Sequence, residues 1–353
     1  MPATPQETPA TLGFYMPAEW RVHEATWLTW PKDPETWPDR VPQVEQIYVE
    51  MIAALTPHET VNLLVDDQAT ELLVRERCTF PSAANIRFHH IPTVDSWMRD
   101  YGPNFLVNVR GGVAFNDWIF NAWGNKYETL KRDNEVPLFL EPRLQMQRFE
   151  PGIVLEGGAI DVNGDGCVLT TEQCLLNPNR NPHLNREQIE EYLKNYLGVK
   201  KVLWLNEGIV GDDTDGHIDD IARFVSPNVI VCALEEDPAD ANYELLQDNL
   251  ARLKSMTDVN GRPFRIVTLP MPGVVGGTST DTRDLDRLPA SYANFYIANN
   301  VVLAPVFGHA NDTRAVETLQ SVFTDRRVVP INCEPLVWGM GTIHCVTQQQ
   351  PSI

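Results

Sequence analysis

The sequence has few basic residues for its length. Among its 353 residues, 28 Lys and Arg face 48 Asp and Glu, so the formal net charge is −20 at pH 7. Nucleic acid is therefore a poor partner, because phosphate binding needs a basic face. A field of this sign raises the local concentration of small cations, although solubility alone also accounts for it.

The sequence also lacks paired cysteines. No CxxC motif occurs, and the six cysteines show no regular spacing: Cys78, Cys167, Cys174, Cys232, Cys333 and Cys345. This usage is typical of reduced thiols rather than of a disulfide scaffold, so we expect a cytoplasmic protein.

Long apolar runs and export signals are missing as well. No run approaches the roughly 18 apolar residues that a membrane span needs, so no membrane partner is expected. The start, MPATPQETPATLGFYMP, has neither a basic nor an apolar region of the kind found in signal peptides. We expect residues 1–12 to form a flexible leader and residues 13–353 to form a single catalytic domain.

One layout recurs along the chain: an antiparallel hairpin, then a helix, then a strand. Residues 153–169 are typical of a hairpin that turns at 163–166. The amphipathic run REQIEEYLKNYL starts at Arg186, with Asn185 as its predicted N-cap. The strand KKVLWL, which ends at Leu205, completes the unit.

The same order predicts further units with a period of about 60 to 70 residues. Two lie in the second half: a hairpin turning at 226–228, a helix at 241–254 and a strand at 265–269, then a hairpin turning at 299–300, a helix at 312–323 and a strand at 327–331. The first half fits less closely, and we count five units. A radial array is favoured over a doubly wound parallel sheet, because each unit opens with an antiparallel hairpin.

Glycine-rich stretches with unusual polar residues fall at the heads of these hairpins. They are WMRDYGPN, LEGGAID, GDDTDGHIDD and GTIHCVT. Their markers, Asp100, Glu156, His217 and Cys345, are separated by 56, 61 and 128 residues, and the last gap is twice 64. Equivalent positions in a closed ring of repeats converge on the axis. We therefore expect these residues and Asp219 to face one central pocket, and we expect GTIHCVT to be the strand that closes the ring against the first unit.

Each residue alone has an ordinary structural explanation. A lone cysteine is more often a small buried hydrophobe, and glycine beside aspartate usually marks a turn. The set could also suggest a metal site, but neither an HExxH motif nor paired-Cys spacing supports zinc. The common register favours catalysis, and we expect His344 to be structural.

Carboxylates beside a cysteine disfavour its thiolate, since negative neighbours raise a thiol pKa. They fit a cationic substrate better, because carboxylates bind a planar guanidinium through its fork of N–H donors. The bound cation would then help the thiol to ionise. The pattern predicts an enzyme that modifies guanidines.

The motifs WMRDYGP, EGGAIDVNGDG, TDGHIDD and GTIHCVTQQQP resemble those of agmatine deiminases. MPAEWRVHEATWLTWPKDPETWPDR and FTDRRVVPIN agree with them, so the resemblance runs from about residue 14 to residue 351. This family belongs to the guanidino-group-modifying superfamily and is related to bacterial peptidylarginine deiminase. The resemblance implies an α/β fold, a five-bladed pseudo-symmetric α/β propeller of ββαβ units around a central active site.

The resemblance also implies a role for each catalytic residue. Cys345 would be the nucleophile that attacks the guanidinium carbon. His217 would protonate the departing ammonia and then activate water against the amidino-thioether. Asp100 and Asp219 would hold the guanidinium. Glu156 would bond His217 and approach a substrate nitrogen.

Two further positions would bind the rest of the substrate. Trp97 would line the aliphatic chain, and Asp213 would meet the distal ammonium, with Asp212 and Asp215 as alternatives. The products implied are N-carbamoylputrescine and ammonia, in putrescine and polyamine biosynthesis. No metal or organic cofactor is implied, and the family precedent favours a homodimer or a larger homo-oligomer.

One position departs from the family pattern. Members usually carry three glycines before the His-Cys pair, whereas this chain has Gly339-Met340-Gly341. If the middle position needs φ > 0, methionine there is strained. Met340 could instead line the pocket.

Other functions stay open at this point. A deiminase of free or peptidyl arginine needs a partner for a carboxylate or peptide backbone, and Arg99, Arg180 and Arg223 are candidates. Secreted peptidylarginine deiminases carry an export signal, which is not visible here. Amidino transfer to an amine is a third activity. A non-catalytic polyamine-binding protein is the alternative from another class, against which the intact catalytic set argues.

Overall fold

The computed structural model describes residues 7–276 and 287–353. Within these residues the strands are β1 Phe14–Tyr15, β2 His23–Thr29, β3 Thr60–Val65, β4 Ile86–His90, β5 Asn104–Asn108, β6 Val113–Asn116, β7 Gln147–Phe149, β8 Asp161–Val162, β9 Cys167–Thr171, β10 Lys201–Leu205, β11 Ala222–Ser226, β12 Val229–Leu234, β13 Arg265–Pro270, β14 Tyr296–Ile297, β15 Val301–Val306, β16 Arg327–Asn332 and β17 Gln348–Pro351.

The α-helices in the same part of the chain are α1 Val41–Leu55, α2 Gln68–Arg77, α3 Met98–Tyr101, α4 Ala122–Asn125, α5 Val136–Leu144, α6 Glu172–Leu175, α7 Arg186–Leu197, α8 Tyr243–Ser255, α9 Asp312–Val322 and α10 Glu334–Val337. Short 3-10 helices span Ala10–Leu12, Pro81–Asn85, Glu128–Glu135, Gly157–Ala159 and Ile218–Asp220. Helices and strands thus alternate, and the fold is mixed α/β.

The strands of the described residues group into five small mixed sheets. Their orders are β1-β5-β6-β7, β10-β9-β8, β11-β12-β13, β14-β15-β16 and β17-β2-β3-β4. Each sheet contains an antiparallel pair that shares a strand with a parallel pair. A helix crosses over within each of these parallel pairs, namely α5, α7, α8, α9 or α1, and α2 does so within the further parallel pair of β3 and β4. This is the strand order that the sequence repeat predicts.

The last strand begins later than we expected. GTIHCVT, residues 341–347, was expected to pair with the first unit, but the strand is Gln348–Pro351, antiparallel to β2. Thr347 belongs to a turn before it, because its hydroxyl donates to the carbonyl of Ile343 and its N–H to that of His344. Such local bonds compete with a strand ladder. The pairing with the first unit is confirmed, but Cys345 lies in the turn and not in the strand.

Apolar packing also joins the two ends of the chain. The largest apolar cluster of the described residues combines Trp27 and Tyr48 from the first unit with Phe295 and Val346 from the last. Of the predicted leader, residues 1–6 lie outside the described residues. Residues 10–12 form a 3-10 turn.

None of the helices in residues 7–276 and 287–353 is both long and apolar enough to cross a bilayer.

Helix α7 begins where the sequence predicts, because a capping box fixes its start. Asn185 Oδ1 accepts from the N–H of Gln188 at 2.9 Å, and Gln188 Oε1 accepts from the N–H of Asn185 at 2.9 Å. Ile189 and Leu193 then point into the core.

We predict that Asn185→Ala lowers the free energy of unfolding by about 1 kcal/mol, because the first turn of α7 loses its side-chain acceptor. Urea unfolding measures this loss, and Asn185→Asp is the control that keeps an acceptor. Equal midpoints for the Ala and Asp variants would contradict the role of the cap.

Candidate active site

The predicted marker residues lie shortly before the first strand of an antiparallel pair. Asp100 is in α3 before β5, and Glu156 immediately precedes the turn before β8. His217 immediately precedes the turn before β11, and Cys345 precedes β17, which pairs with β2. Four different sheets therefore each contribute one of these side chains from an equivalent place.

The structure brings the predicted residues to one cavity of about 510 Å³. Trp97, Asp100, Asp213 and Cys345 line it. Glu156, His217 and Asp219 are fully buried beside these residues, as the contacts below show.

Asp100 is fixed by two donors. Its Oδ1 accepts from the N–H of Gly158 at 2.9 Å, and its Oδ2 accepts from Trp123 Nε1 at 2.9 Å. Burial raises the pKa of Asp100. The positive charge of His217 opposes this rise, and Asp219 adds to it. Its two oxygens are thus held in place beside the ring of His217, with Nδ1 of that ring 3.8 Å from Oδ1.

Asp219 is held from behind by a histidine. His344 Nδ1 lies 2.7 Å from Asp219 Oδ2, and His344 Nε2 lies 2.8 Å from Glu19 Oε2. Burial works to raise the pKa of Asp219, but the bond to His344 brings it below its usual value. Asp219 Oδ1 has no hydrogen-bond partner among the described residues, so a buried carboxylate oxygen is left for a ligand.

The ring of His217 lies between two carboxylates without a normal hydrogen bond to either. Its Nε2 is 4.0 Å from Glu156 Oε2. Neither ring nitrogen of His217 has a hydrogen-bond partner within the described residues, and Glu156 Oε2 has none there either. Burial works to lower the pKa of His217, but Asp100, Cys174 and Glu156 raise it well above its ordinary value. A protonated ring that has N–H groups to spare suits a general acid.

Arg180 fixes Glu156 from the other side. Its Nε donates to Glu156 Oε1 at 2.7 Å, while its Nη1 donates to Asp215 Oδ2 at 2.6 Å. One oxygen of Glu156 is therefore committed to Arg180, and the other stays open towards His217.

The Cys345 thiol is buried among acidic groups. Burial raises its pKa well above the usual value, and Asp219, Asp220 and Asp100 add to the rise. Its Sγ lies 3.8 Å from Asp219 Oδ2, which confirms the proximity of carboxylate and sulfur. Asp220 is an addition that the sequence analysis did not include.

Two glycines allow these groups to come together. A Cβ on Gly158 would lie 2.5 Å from His217 Nδ1 and 2.9 Å from Asp100 Oδ1. A Cβ on Gly341 would lie 2.7 Å from the Trp97 ring. Contacts this short leave no room for a side chain at either position.

Met340 combines the two features considered for it in the sequence, a strained backbone and a place on the cavity wall. Its φ is +71°, in the left-handed region, and its residue lines the cavity. A methionine in this conformation is strained, since Cβ approaches the following carbonyl. Trp97 lines the same side of the cavity and donates from Nε1 to Asp95 Oδ2 at 2.8 Å.

Among the three acidic candidates for the distal ammonium, Asp213 is the one on the cavity wall. Asp212 accepts from the N–H groups of Gly216 and His217 and so holds its own loop. Asp215 pairs with Arg180. Burial raises the pKa of Asp213 to about 6, although a hydrogen bond from Tyr127 opposes the rise.

One residue beside the fourth sheet was not predicted from the sequence. Asn294 lies just before β14, the place that the markers occupy in the other sheets, and its Nδ2 is 3.2 Å from Cys345 Sγ. Its separation from His217 is 77 residues, because a long connection precedes β14, so the spacing rule passed over it. The register of hairpins, used instead of residue counts, would have found it.

One cluster has the composition of a metal site. Glu156, Cys174 and His217 each offer a ligand atom within 4.8 Å of the others, and all three are buried. Arg180 already neutralises Glu156, and its fixed positive charge would disfavour a cation there. The cluster therefore fits a histidine with its neighbouring side chains better than a metal centre.

We predict that Gly158→Ala lowers kcat/KM by about a hundredfold, because the added methyl displaces His217 from Asp100. Gly152→Ala is the control for general backbone strain: its φ of +76° strains an alanine, but no atom lies within 4 Å of a Cβ built there, so the site is not crowded. Steady-state assays on both variants measure the effect. A Gly158→Ala enzyme with the activity of the Gly152→Ala enzyme would contradict the crowded geometry.

The chain is similar to agmatine deiminases over nearly its whole length. It is 38% identical to the agmatine deiminase of Ectopseudomonas mendocina over 362 residues, which cover 98% of this chain and 97% of the relative. It superposes on the agmatine deiminase of Enterococcus faecalis with a TM-score of 0.91, at 36% identity and 99% coverage of both chains. A C. jejuni agmatine deiminase with substrate bound gives a TM-score of 0.84 at 32% identity, with 96% of each chain covered.

A sequence model of the Porphyromonas-type peptidyl-arginine deiminase family matches residues 15–351. These are nearly the bounds over which the motifs resemble agmatine deiminases, and that resemblance is confirmed. The chain belongs to the Porphyromonas-type peptidyl-arginine deiminase family.

Proposed function

We propose that the protein hydrolyses agmatine to N-carbamoylputrescine and ammonia through a covalent intermediate on Cys345. The observation that carries the proposal is a buried cysteine beside the carboxylates of Asp100 and Asp219, at the end of a cavity with further acidic groups on its wall. Full-length similarity to agmatine deiminases supports the same substrate.

The first half of the reaction would transfer the amidine to sulfur. The guanidinium cation binds between Asp100 and Asp219 and offsets the charges that oppose ionisation of Cys345. The thiolate attacks the guanidinium carbon and forms the C–S bond. His217 then gives its proton to the terminal NH2 group, the C–N bond breaks, and ammonia leaves.

The second half would return the enzyme to its starting state. Neutral His217 accepts one proton from a water molecule as its oxygen attacks the amidino-thioether carbon. The C–S bond breaks, the thiolate of Cys345 leaves with its electron pair, and the ureido product forms. The second proton of the water passes to solvent, where ammonia takes it up, and the thiolate of Cys345 takes back from solvent the proton that it lost when the substrate bound.

The cavity favours agmatine over arginine. Its wall carries five carboxylates away from the sulfur and, within the described residues, no Arg or Lys; these carboxylates are Asp33, Glu35, Asp95, Glu128 and Asp213. The three arginines considered for a substrate carboxylate are bonded elsewhere: Arg99 to Gln349, Arg180 to Glu156 and Arg223 to Asp161. An acidic wall binds a distal ammonium and repels a carboxylate.

We further infer that the five sheets form the blades of an α/β propeller, with residues 13–353 as its single domain. The repeated sheet order and the pairing of β17 with β2 support a closed ring. The product leads towards putrescine, which supports a role in polyamine biosynthesis. The six free cysteines support a reducing, cytoplasmic location, and a homo-oligomer stays a prediction of the family resemblance.

We predict that the purified protein releases ammonia and ureido product from agmatine far faster than from arginine or a C-terminal-arginine peptide. Cys345→Ser should lower turnover by more than about a thousandfold, because serine cannot replace the thiolate nucleophile. Cys78→Ser is the matched control at a buried thiol outside the cavity.

Two outcomes would count against this proposal separately. Turnover of arginine without turnover of agmatine would contradict the substrate. A Cys345→Ser enzyme that keeps near-normal turnover would contradict the covalent mechanism.

We predict that kcat/KM for agmatine falls as the pH drops through about 6, because Asp213 becomes protonated and loses its attraction for the distal ammonium. Asp213→Asn should raise KM about tenfold to a hundredfold above pH 7 and flatten this limb of the profile. Butylguanidine is the control substrate, since it lacks the distal ammonium. An equal effect of Asp213→Asn on both substrates would rule out the contact.

A further inference from the structure

Asn294 is a fully buried side chain in contact with the sulfur of Cys345. Its Nδ2 lies 3.2 Å from Sγ and 3.0 Å from Asp220 Oδ1. Its Oδ1 accepts from the N–H of His344 at 3.0 Å and from the Thr342 hydroxyl at 2.7 Å. The side chain therefore joins the turn that carries Cys345 to the turn that carries Asp220.

These bonds fix which way the amide points. The backbone N–H of His344 can only donate, so the atom facing it must be the oxygen of Asn294. The NH2 group then faces Asp220 and Cys345, and its two hydrogens match these two acceptors. The orientation follows from the bonding partners and leaves one N–H directed at sulfur.

The amide can serve both protonation states of Cys345. In the thiol form, the S–H group can donate to Asn294 Oδ1, which is 3.5 Å from Sγ. In the thiolate form, the N–H at 3.2 Å becomes a bond to a charged acceptor, which is roughly twice as strong as a neutral one. Asp219, at 3.8 Å from Sγ, can only accept and so favours the thiol.

The thiolate needs such a donor because its surroundings oppose it. Burial, Asp219, Asp220 and Asp100 all raise the pKa of Cys345, and the backbone N–H of Thr342 is a donor that lowers it. A side-chain N–H from Asn294 would act in the same direction as Thr342.

We propose that Asn294 is a catalytic residue that stabilises the thiolate of Cys345 by an N–H···S bond, both before attack and when the C–S bond breaks. The proposal rests on the proposed function, since it assigns the thiolate as nucleophile and leaving group. Asn294 donates a hydrogen bond and no proton. The thiol proton leaves to solvent as the cation binds. With Asn294, each of the five sheets of the described residues contributes a polar side chain to the site.

The test is the pH dependence of Cys345 alkylation by iodoacetamide, a neutral reagent, with Cys345→Ser as the background from the other thiols. Below the midpoint, Asn294→Ala should react about tenfold to a hundredfold more slowly, and its midpoint should rise by about one to two pH units. Its kcat/KM for agmatine should fall by a similar factor. Asn294→Asp keeps the acceptor and loses the N–H donor, and it serves as the second variant in case Asn294→Ala does not fold. It should slow alkylation at least as much as Asn294→Ala.

Two comparison variants separate this role from a structural one. Asn249→Ala removes another buried asparagine, which lies in α8 and donates to the Glu207 carbonyl, and its alkylation should match the wild type. Thr342→Val removes a bond to the oxygen of Asn294 but leaves the N–H in place, so it should shift the midpoint much less than Asn294→Ala.

Wild-type alkylation in Asn294→Ala would overturn the inference, and so would an equal shift in Thr342→Val. Alkylation needs no substrate, so its result is independent of the agmatine assay. If the wild type turns over agmatine but the alkylation midpoint of Asn294→Ala does not move, only this inference is defeated. A wild type inactive on agmatine would defeat the proposed function instead.

Discussion

The structure depends on one electrostatic constraint: a buried cysteine is surrounded by carboxylates that make its thiolate unfavourable. Asp219, Asp220 and Asp100 all raise the pKa of Cys345, on top of burial itself. Burying several like charges together is costly unless a cation or a proton offsets them. In the proposed reaction, the guanidinium of the substrate would supply the missing charge and also be the electrophile, so the free enzyme would keep its nucleophile protonated until the substrate arrives.

The neighbouring groups follow from that constraint. His344 bonds Asp219 and Glu19 and thereby keeps one carboxylate in place, while Arg223 bonds Glu19 behind them. Arg180 does the same for Glu156 on the other side of His217. Asp219 and Glu156 thus each have a fixed partner at the back, which orients the carboxylate before substrate binds.

Much of the architecture follows from the sequence because its signals are local. The cap at Asn185 and the period of the hairpins depend on a few neighbouring residues, and the strands and helices lie close to the predicted positions. The site residues occupy equivalent positions in the repeat, so their spacing correctly predicted that Asp100 and Cys345 lie together. The turn at Thr347 was not predicted, because side-chain bonds to backbone carbonyls decide it. Asn294 was not predicted, because the length of the preceding loop changes the residue spacing without changing the position of Asn294 beside β14.

The proposed mechanism places the amidine on the sulfur of Cys345 during turnover. Rapid acid quenching of the enzyme with agmatine, followed by mass spectrometry of the peptides, detects such an intermediate directly. A species heavier by agmatine less one ammonia is expected on the peptide with Cys345 and is expected to be absent from Cys345→Ser. Turnover without such an adduct, or with the adduct on Cys174, would contradict the mechanism.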